Sequence, residues 1–245
     1  MRRIVLSAIL ALVSGCSGPA PPEPSTLIVW AWERPEDLRF LKPPVEVAVQ
    51  SGFVELVGDQ VVARGRRHPL LVERPPGIVL VHIQIDERVP LRWTPALRQR
   101  TSAAVLHYAT RIPAPMVQID FEVRASQRQV LLDLLGDVRR GLPPNVRLSM
   151  TALASWCDTE DWLDAAPVDE IVPMVFRMGQ GDRTMRDRLA KGGDFRHPRC
   201  RTALGIATDT PVRRAPPGRR VYLFDPRSWT PADFTAVRRE VEGWH

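Results

Sequence analysis

The sequence is nearly devoid of lysine: of its 34 basic residues all but Lys42 and Lys191 are arginine. It also lacks any run of five or more basic residues. A net charge of +6 and an isoelectric point near 10.0 would otherwise suit a nucleic-acid partner. The arginines are instead scattered (Arg98, Arg100, Arg139, Arg140, Arg238, Arg239) among acids on helix-like stretches, which is the pattern of solvated helix faces. No nucleic-acid partner is expected. Cysteine is scarce too, with only Cys16, Cys157 and Cys200, and no Cys/His cluster has zinc-ligand spacing. No glycine-rich phosphate loop follows the first strand-like segment; WAWERP stands there, which argues against a dinucleotide site. His82 has no second histidine at chelating distance. No cofactor or metal is therefore expected.

The N-terminal apolar run, Ile4–Val13, is too short to span a bilayer and follows Arg2 and Arg3, as in a signal peptide. It ends in Val13-Ser14-Gly15-Cys16, which resembles the lipobox of bacterial lipoproteins. That resemblance implies cleavage before Cys16, lipidation of its thiol and acylation of the new amino terminus. Several acyl chains on one residue give stable anchoring. Ser17 occupies the place where an Asp would signal inner-membrane retention, so the expected location is the outer membrane facing the periplasm, in a cell that has one. The expected organisation is a signal peptide at 1–15, a lipidated Cys and Pro-rich linker at 16–25, and one folded domain at 26–245.

From Thr26 the chain alternates strand-like and helix-like segments. Eight strands are expected, at 27–32, 45–50, 78–86, 116–123, 146–153, 170–176, 202–208 and 220–224. Helices are expected where a Thr cap precedes Pro, at Thr94-Pro95 and Thr230-Pro231, and where Val130, Leu131, Leu134, Leu135 and Val138 share a face. Shorter ones fit Pro35–Leu41, Asp158–Ala165 and Arg183–Ala190. Residues 53–63 read as a β-hairpin around Gly58-Asp59, replacing the second helix. Strand–helix repetition with eight strands predicts an α/β fold, a somewhat degenerate (β/α)8 TIM-type barrel. An open doubly wound sheet is the alternative. An exported location permits a disulfide between Cys157 and Cys200, but the strand layout puts them near opposite ends of the barrel and favours two unpaired thiols.

Sites in such barrels lie at the C-terminal ends of strands. On the third and fourth strands His82, Gln84 and Asp86 and then Gln118, Asp120 and Glu122 alternate with apolar residues. If the apolar set packs on helices, both polar triads face inward, and Asp86 falls near Asp120 or Glu122. Paired carboxylates with Trp to stack on sugar rings meet the requirement for glycoside hydrolysis. The expected roles are Glu122 as general acid/base, Asp120 tuning it, and Asp86 as a second carboxylate. Trp32, Glu33, Gln84, Gln118, Trp156 and Arg177 would line a carbohydrate site. Alternatively, the acids close a structural hydrogen-bond network, or His82, Asp86 and Asp120 serve a metal-dependent hydrolase.

The succession WAWERPEDLRFL, VQIDFE, RLSMTALASWC, VDEIVPMVFRMG and ALGIATD resembles an uncharacterised bacterial family of exported, glycoside-hydrolase-like barrels. The resemblance implies fold and export over nearly the whole mature chain. A more distant one is to chitinase-type hydrolases, whose fourth strand ends in DxxDxDxE. Asp120 and Glu122 match the final DxE, implying an assisting acid and a proton donor. Pro115 and Gln118 depart from the motif, and Met174-Val175-Phe176-Arg177 replaces the Met-x-Tyr-Asp of the sixth strand. Substrate-assisted cleavage of N-acetyl sugars is thus not implied. A glycan-binding or envelope-scaffolding lipoprotein without turnover is the second functional expectation.

Overall fold

The computed structural model describes residues 26–176 and 181–244. Its first strand, β1 (Thr26–Ala31), is followed by the two-residue strand β2 (Glu36–Asp37), the long β3 (Glu46–Val57) and β4 (Gln60–Gly65). The short β5 (Leu70–Leu71) and then β6 (Ile78–Ile85) lead into α1 (Pro95–Ala109), β7 (Met116–Phe121), α2 (Arg128–Gly141) and β8 (Arg147–Leu153). The chain continues through α3 (Trp156–Thr159), β9 (Glu170–Met174), α4 (Gly181–Ala190), β10 (Ala203–Ala207), β11 (Arg220–Phe224) and α5 (Pro231–Glu242). Strands β1, β3, β6, β7, β8, β9, β10 and β11 pair in parallel, and β1 pairs with both β3 and β11. The sheet therefore closes into an eight-stranded parallel barrel with helices between strands, a TIM-type α/β barrel.

Local grammar accounts for the main helices. Thr94 accepts a hydrogen bond from Leu97 N at the start of α1, and Thr230 accepts one from Asp233 N at the start of α5; each is followed by Pro, which suits a first helical position. In α2 the buried face is Val130, Leu131, Leu134, Leu135 and Val138, at helical spacing. These side chains join the outward faces of the strands in one apolar layer. A second apolar cluster, with Ile28, Trp30, Leu80, Met116, Val172 and Tyr222, fills the barrel itself.

The filling is not wholly apolar. Trp30 Nε1 donates to Gln118 Oε1 at 2.7 Å, Gln118 Nε2 donates to Ser149 Oγ at 3.1 Å, and Ser149 Oγ donates to Glu170 Oε1 at 3.0 Å. Tyr222 OH donates to the same carboxylate at 2.5 Å, and Arg220 Nε lies 2.8 Å from its other oxygen. Burial, with the Glu170 charge alongside, pushes the Tyr222 hydroxyl well above its ordinary value and keeps it a donor. Buried polar groups are tolerated when they find partners, and the chain from Trp30 to Glu170 does that across the lower barrel, with Arg220 Nε held by its ion pair to Glu170 alone.

Three expectations need correction. Pro35–Leu41 forms no helix: Glu36 N and Leu38 N donate to Pro69 O and Leu71 O, so the segment pairs with β5 as a strand. Seven residues closed by Pro43 and Pro44 are too few to sustain a helix without strong packing. The helix at Asp158–Ala165 divides into α3 and a 3-10 turn, Trp162–Ala165. Finally, Cys157 and Cys200 form a disulfide, with Cα atoms 6.0 Å apart. Strand ends misplace them because the connection after β8 and the segment before β10 run side by side: Arg196 N donates to Asp158 and Arg199 to the carbonyls of Leu163, Ala166 and Val168. There His197 N donates to Cys157 O, which brings the 3-10 turn Pro198–Cys200 alongside.

The bridge closes a loop with a sequence separation of 43 residues. Loop entropy for that span corresponds to about 4 kcal/mol, against about 2–4 kcal/mol usually measured. Reduction, or the Cys157→Ser/Cys200→Ser double variant, should lower unfolding stability by an amount in that range in denaturant titration.

Candidate functional site

The mouth of the barrel is raised on one side. Past Val49, β3 no longer pairs with β1 but continues for eight residues, pairing with β4 in the antiparallel hairpin and with β6 in parallel. Gly58 turns the hairpin in the left-handed conformation, at φ 61°. Gly52 lets α1 lie close below it, since a Cβ there would come within 2.5 Å of the Tyr108 side chain. A three-stranded flap thus stands above the rim.

One row of residues crosses five neighbouring strands at this level. Arg64 on β4 pairs with Phe53 on β3, Phe53 with His82 on β6, and His82 with Asp120 on β7. Ile119 pairs with Met150, which puts Thr151 of β8 beside Asp120. Cross-strand neighbours at one register level are close enough to interact directly, and here each does. The Arg64 guanidinium lies 4.4 Å from the Phe53 ring centroid. The rings of Phe53 and His82 are stacked at 5.4 Å, with 23° between their planes. His82 Nδ1 is 2.5 Å from Asp120 Oδ2, and Thr151 Oγ1 donates to Asp120 Oδ1 at 2.6 Å.

This row forms one wall of an open cavity of about 600 Å³, within the range of small-ligand sites. Trp32, Phe176 and Phe224 supply an aromatic side to it, and Glu33, Arg34, Gln50 and Glu122 also line it. Phe176 and Phe224 stack at 5.3 Å, and Trp32 meets the edges of both Phe224 and His82. Glu33 accepts from the backbone N–H of Arg67 and His68, while its own N–H donates to Gln50 Oε1. Arg34 is held by Glu36 and by the carbonyls of Asp225 and Pro226. Trp32 Nε1 is a buried donor with no acceptor among the described residues.

The structure distributes the expected site residues as follows. Asp120, Glu122, Trp32 and Glu33 meet at the cavity. Asp86 does not join them. Opposite Asp120 stands His82, and Asp86 is four residues further along, about 13 Å at strand spacing. It is engaged instead by Arg88, whose hydrogen bonds hold its carboxyl down at about 2. Gln84 sits on the exposed flap and donates to Glu55. Gln118 is fully buried beneath the site in the Trp30–Ser149 chain. Trp156 is buried outside the barrel against Trp162. Arg177 and Cys16 lie outside the described residues. Phe53, Arg64 and Thr151 had no local signal; only the register between strands assembles them with Asp120.

Burial works against charging the His82 imidazole. The hydrogen bond to Asp120 and the charges of Asp120 and Glu122 outweigh burial and the opposing Arg64, so its affinity for a proton rises above the ordinary value. Asp120 thereby fixes the ring and directs Nε2, which has no partner among the described residues, away from the wall. The arrangement can hold or move a proton beside Glu122. Among the described residues no group of His, Cys, Asp and Glu is arranged to hold a metal ion, and no helix is long and apolar enough to cross a membrane. No protein-family model matches the chain, and no curated protein matches it in sequence.

Because His82 binds its proton more tightly folded than unfolded, it stabilises the fold fully below about pH 6.5, its unfolded value, and loses that contribution as pH rises through the elevated folded value. The stability difference between the protein and His82→Gln should therefore shrink between pH 6 and pH 9. Denaturant midpoints measured across that interval check it.

Proposed function

We propose that the barrel mouth recognises a saccharide and that Glu122 acts there as general acid/base on a glycosidic bond. One observation carries the reading: Glu122 stands at the end of β7 in an aromatic-lined cavity, two residues from the anchored Asp120–His82 pair. Trp32, Phe176 and Phe224 give the cavity an aromatic side of the kind against which sugar rings pack. In this reading Glu122 protonates the leaving glycosidic oxygen as the C–O bond breaks; water then adds to the anomeric carbon and gives its proton to Glu122, which restores the acid. Asp120 and His82 supply negative and positive charge close by, and Thr151 keeps Asp120 in place.

A specific observation supports a second reading, saccharide binding without turnover. Both Asp120 oxygens are engaged, one by Thr151 and the other by His82, which leaves this carboxylate committed to the wall. The two readings part on one experiment. Purified protein is assayed for binding to, and reducing-end release from, isolated envelope polysaccharides. Hydrolysis predicts release that falls about 10²–10⁴-fold in Glu122→Gln while binding persists. Binding with no release by the unaltered protein selects the second reading, and neither binding nor release overturns both.

We also propose that the chain is exported and held at the envelope by lipid on Cys16, on the strength of Val13-Ser14-Gly15-Cys16 behind a short apolar run. Radiolabelled palmitate should be incorporated by the expressed protein and not by Cys16→Ser, which should leave the membrane fraction. Equal labelling of both would overturn the assignment.

A further inference from the structure

Most charged groups that line the cavity are engaged by the protein itself. Arg34 spends its guanidinium on Glu36 and two carbonyls, and Glu33 spends one oxygen on two backbone N–H groups. Asp120 is committed at both oxygens. Arg64, by contrast, makes no hydrogen bond or ion pair among the described residues, although it is half-buried and lines the cavity. Its guanidinium lies over the Phe53 ring. A guanidinium held over an aromatic ring keeps its fork of N–H groups available for a planar, two-oxygen acceptor. Its N–H groups face the open cavity, where a ligand's acceptor can replace water.

We propose that the cleft takes an acidic saccharide, with Arg64 receiving the carboxylate of a uronic-acid unit. The inference rests on the saccharide reading above and narrows it to a substrate class. Two alternatives within the site are weaker. A phosphate would compete for the same fork, but the aromatic walls suit a sugar ring bearing its charge at one edge. A neutral sugar would leave Arg64 unpaired. Glu122 does not forbid the anion. Between β4 and β7 lie three strand spacings, about 14 Å, which separates the flap from Glu122 along the row. The carboxylate is therefore bound at the flap and the bond to be cleaved lies further in, beside Glu122. The His82 imidazole stands between the two, its Nε2 directed away from Asp120.

The test compares oligogalacturonate, oligomannuronate and hyaluronan oligosaccharides, each against its carboxyl-reduced neutral counterpart, by calorimetry at 20 mM and 300 mM salt. At least one acidic oligosaccharide should bind 10-fold or more tightly than its neutral counterpart at low salt, with the preference shrinking at high salt. Arg64→Gln should abolish the preference for the acidic partner. Arg64→Lys, which keeps the charge without the fork, should retain a part of it. Equal binding of acidic and neutral partners, or a preference that survives Arg64→Gln, overturns the inference while the saccharide reading stands. Binding of neither partner in any pair overturns both.

Discussion

The pairing of β1 with β3 is the contact on which the rest of the molecule depends. It runs from Ile28 opposite Glu46 to Ala31 opposite Val49 and closes the barrel. Because β1 then ends, the edge of β3 is free to be taken by β4, and the flap exists only for that reason. The chain leaving β1 is secured by the flap in return: Arg66 donates to the carbonyls of Ala31, Trp32 and Arg34. Backbone groups released from the sheet are thus satisfied by the element that displaced them. Closure, flap and the loop bearing Trp32 form one unit.

On that unit the side-chain chemistry is ordered by register. Arg64, Phe53, His82, Asp120 and Thr151 are distant in sequence, and each occupies the same level of a different strand. The row passes from a cation through two stacked rings to an anion and a hydroxyl. Its lower counterpart, from Trp30 through Gln118 and Ser149 to Glu170, is sealed within the barrel and fully paired. The two rows divide labour. The lower one satisfies its own polar groups, whereas the upper one leaves Arg64 and His82 Nε2 for something else.

Much of this was legible in the sequence because it follows local periods. All eight barrel strands, the hairpin at Gly58-Asp59 and the buried face of α2 come from alternation, turn chemistry and helical spacing. Asp120 and Glu122 at the cavity follow from their phase on β7. Relations between distant segments were not legible. The alternation of β6 continues past Ile83, the last β6 residue with a β7 partner, so Gln84 and Asp86 keep the inward phase while standing above the barrel. Phase is written in a strand; height is set by the neighbour. The disulfide was missed for a related reason, since positions in connections that run side by side cannot be read from strand ends. Trp156 was drawn to the site by sequence proximity to the end of β8, yet its large apolar ring was worth more beneath α3 and the Trp162 turn.

The direction of β1 has a consequence for how the molecule meets its surroundings. Thr26 begins that strand at the base of the barrel, and Ala31 ends it at the rim that carries the cavity. The five steps between them span about 17 Å along the strand, about 13 Å along the barrel axis at the usual tilt. The start of β1 and the cavity thus lie at opposite ends of the barrel, so a ligand entering the cleft approaches from the face remote from Thr26.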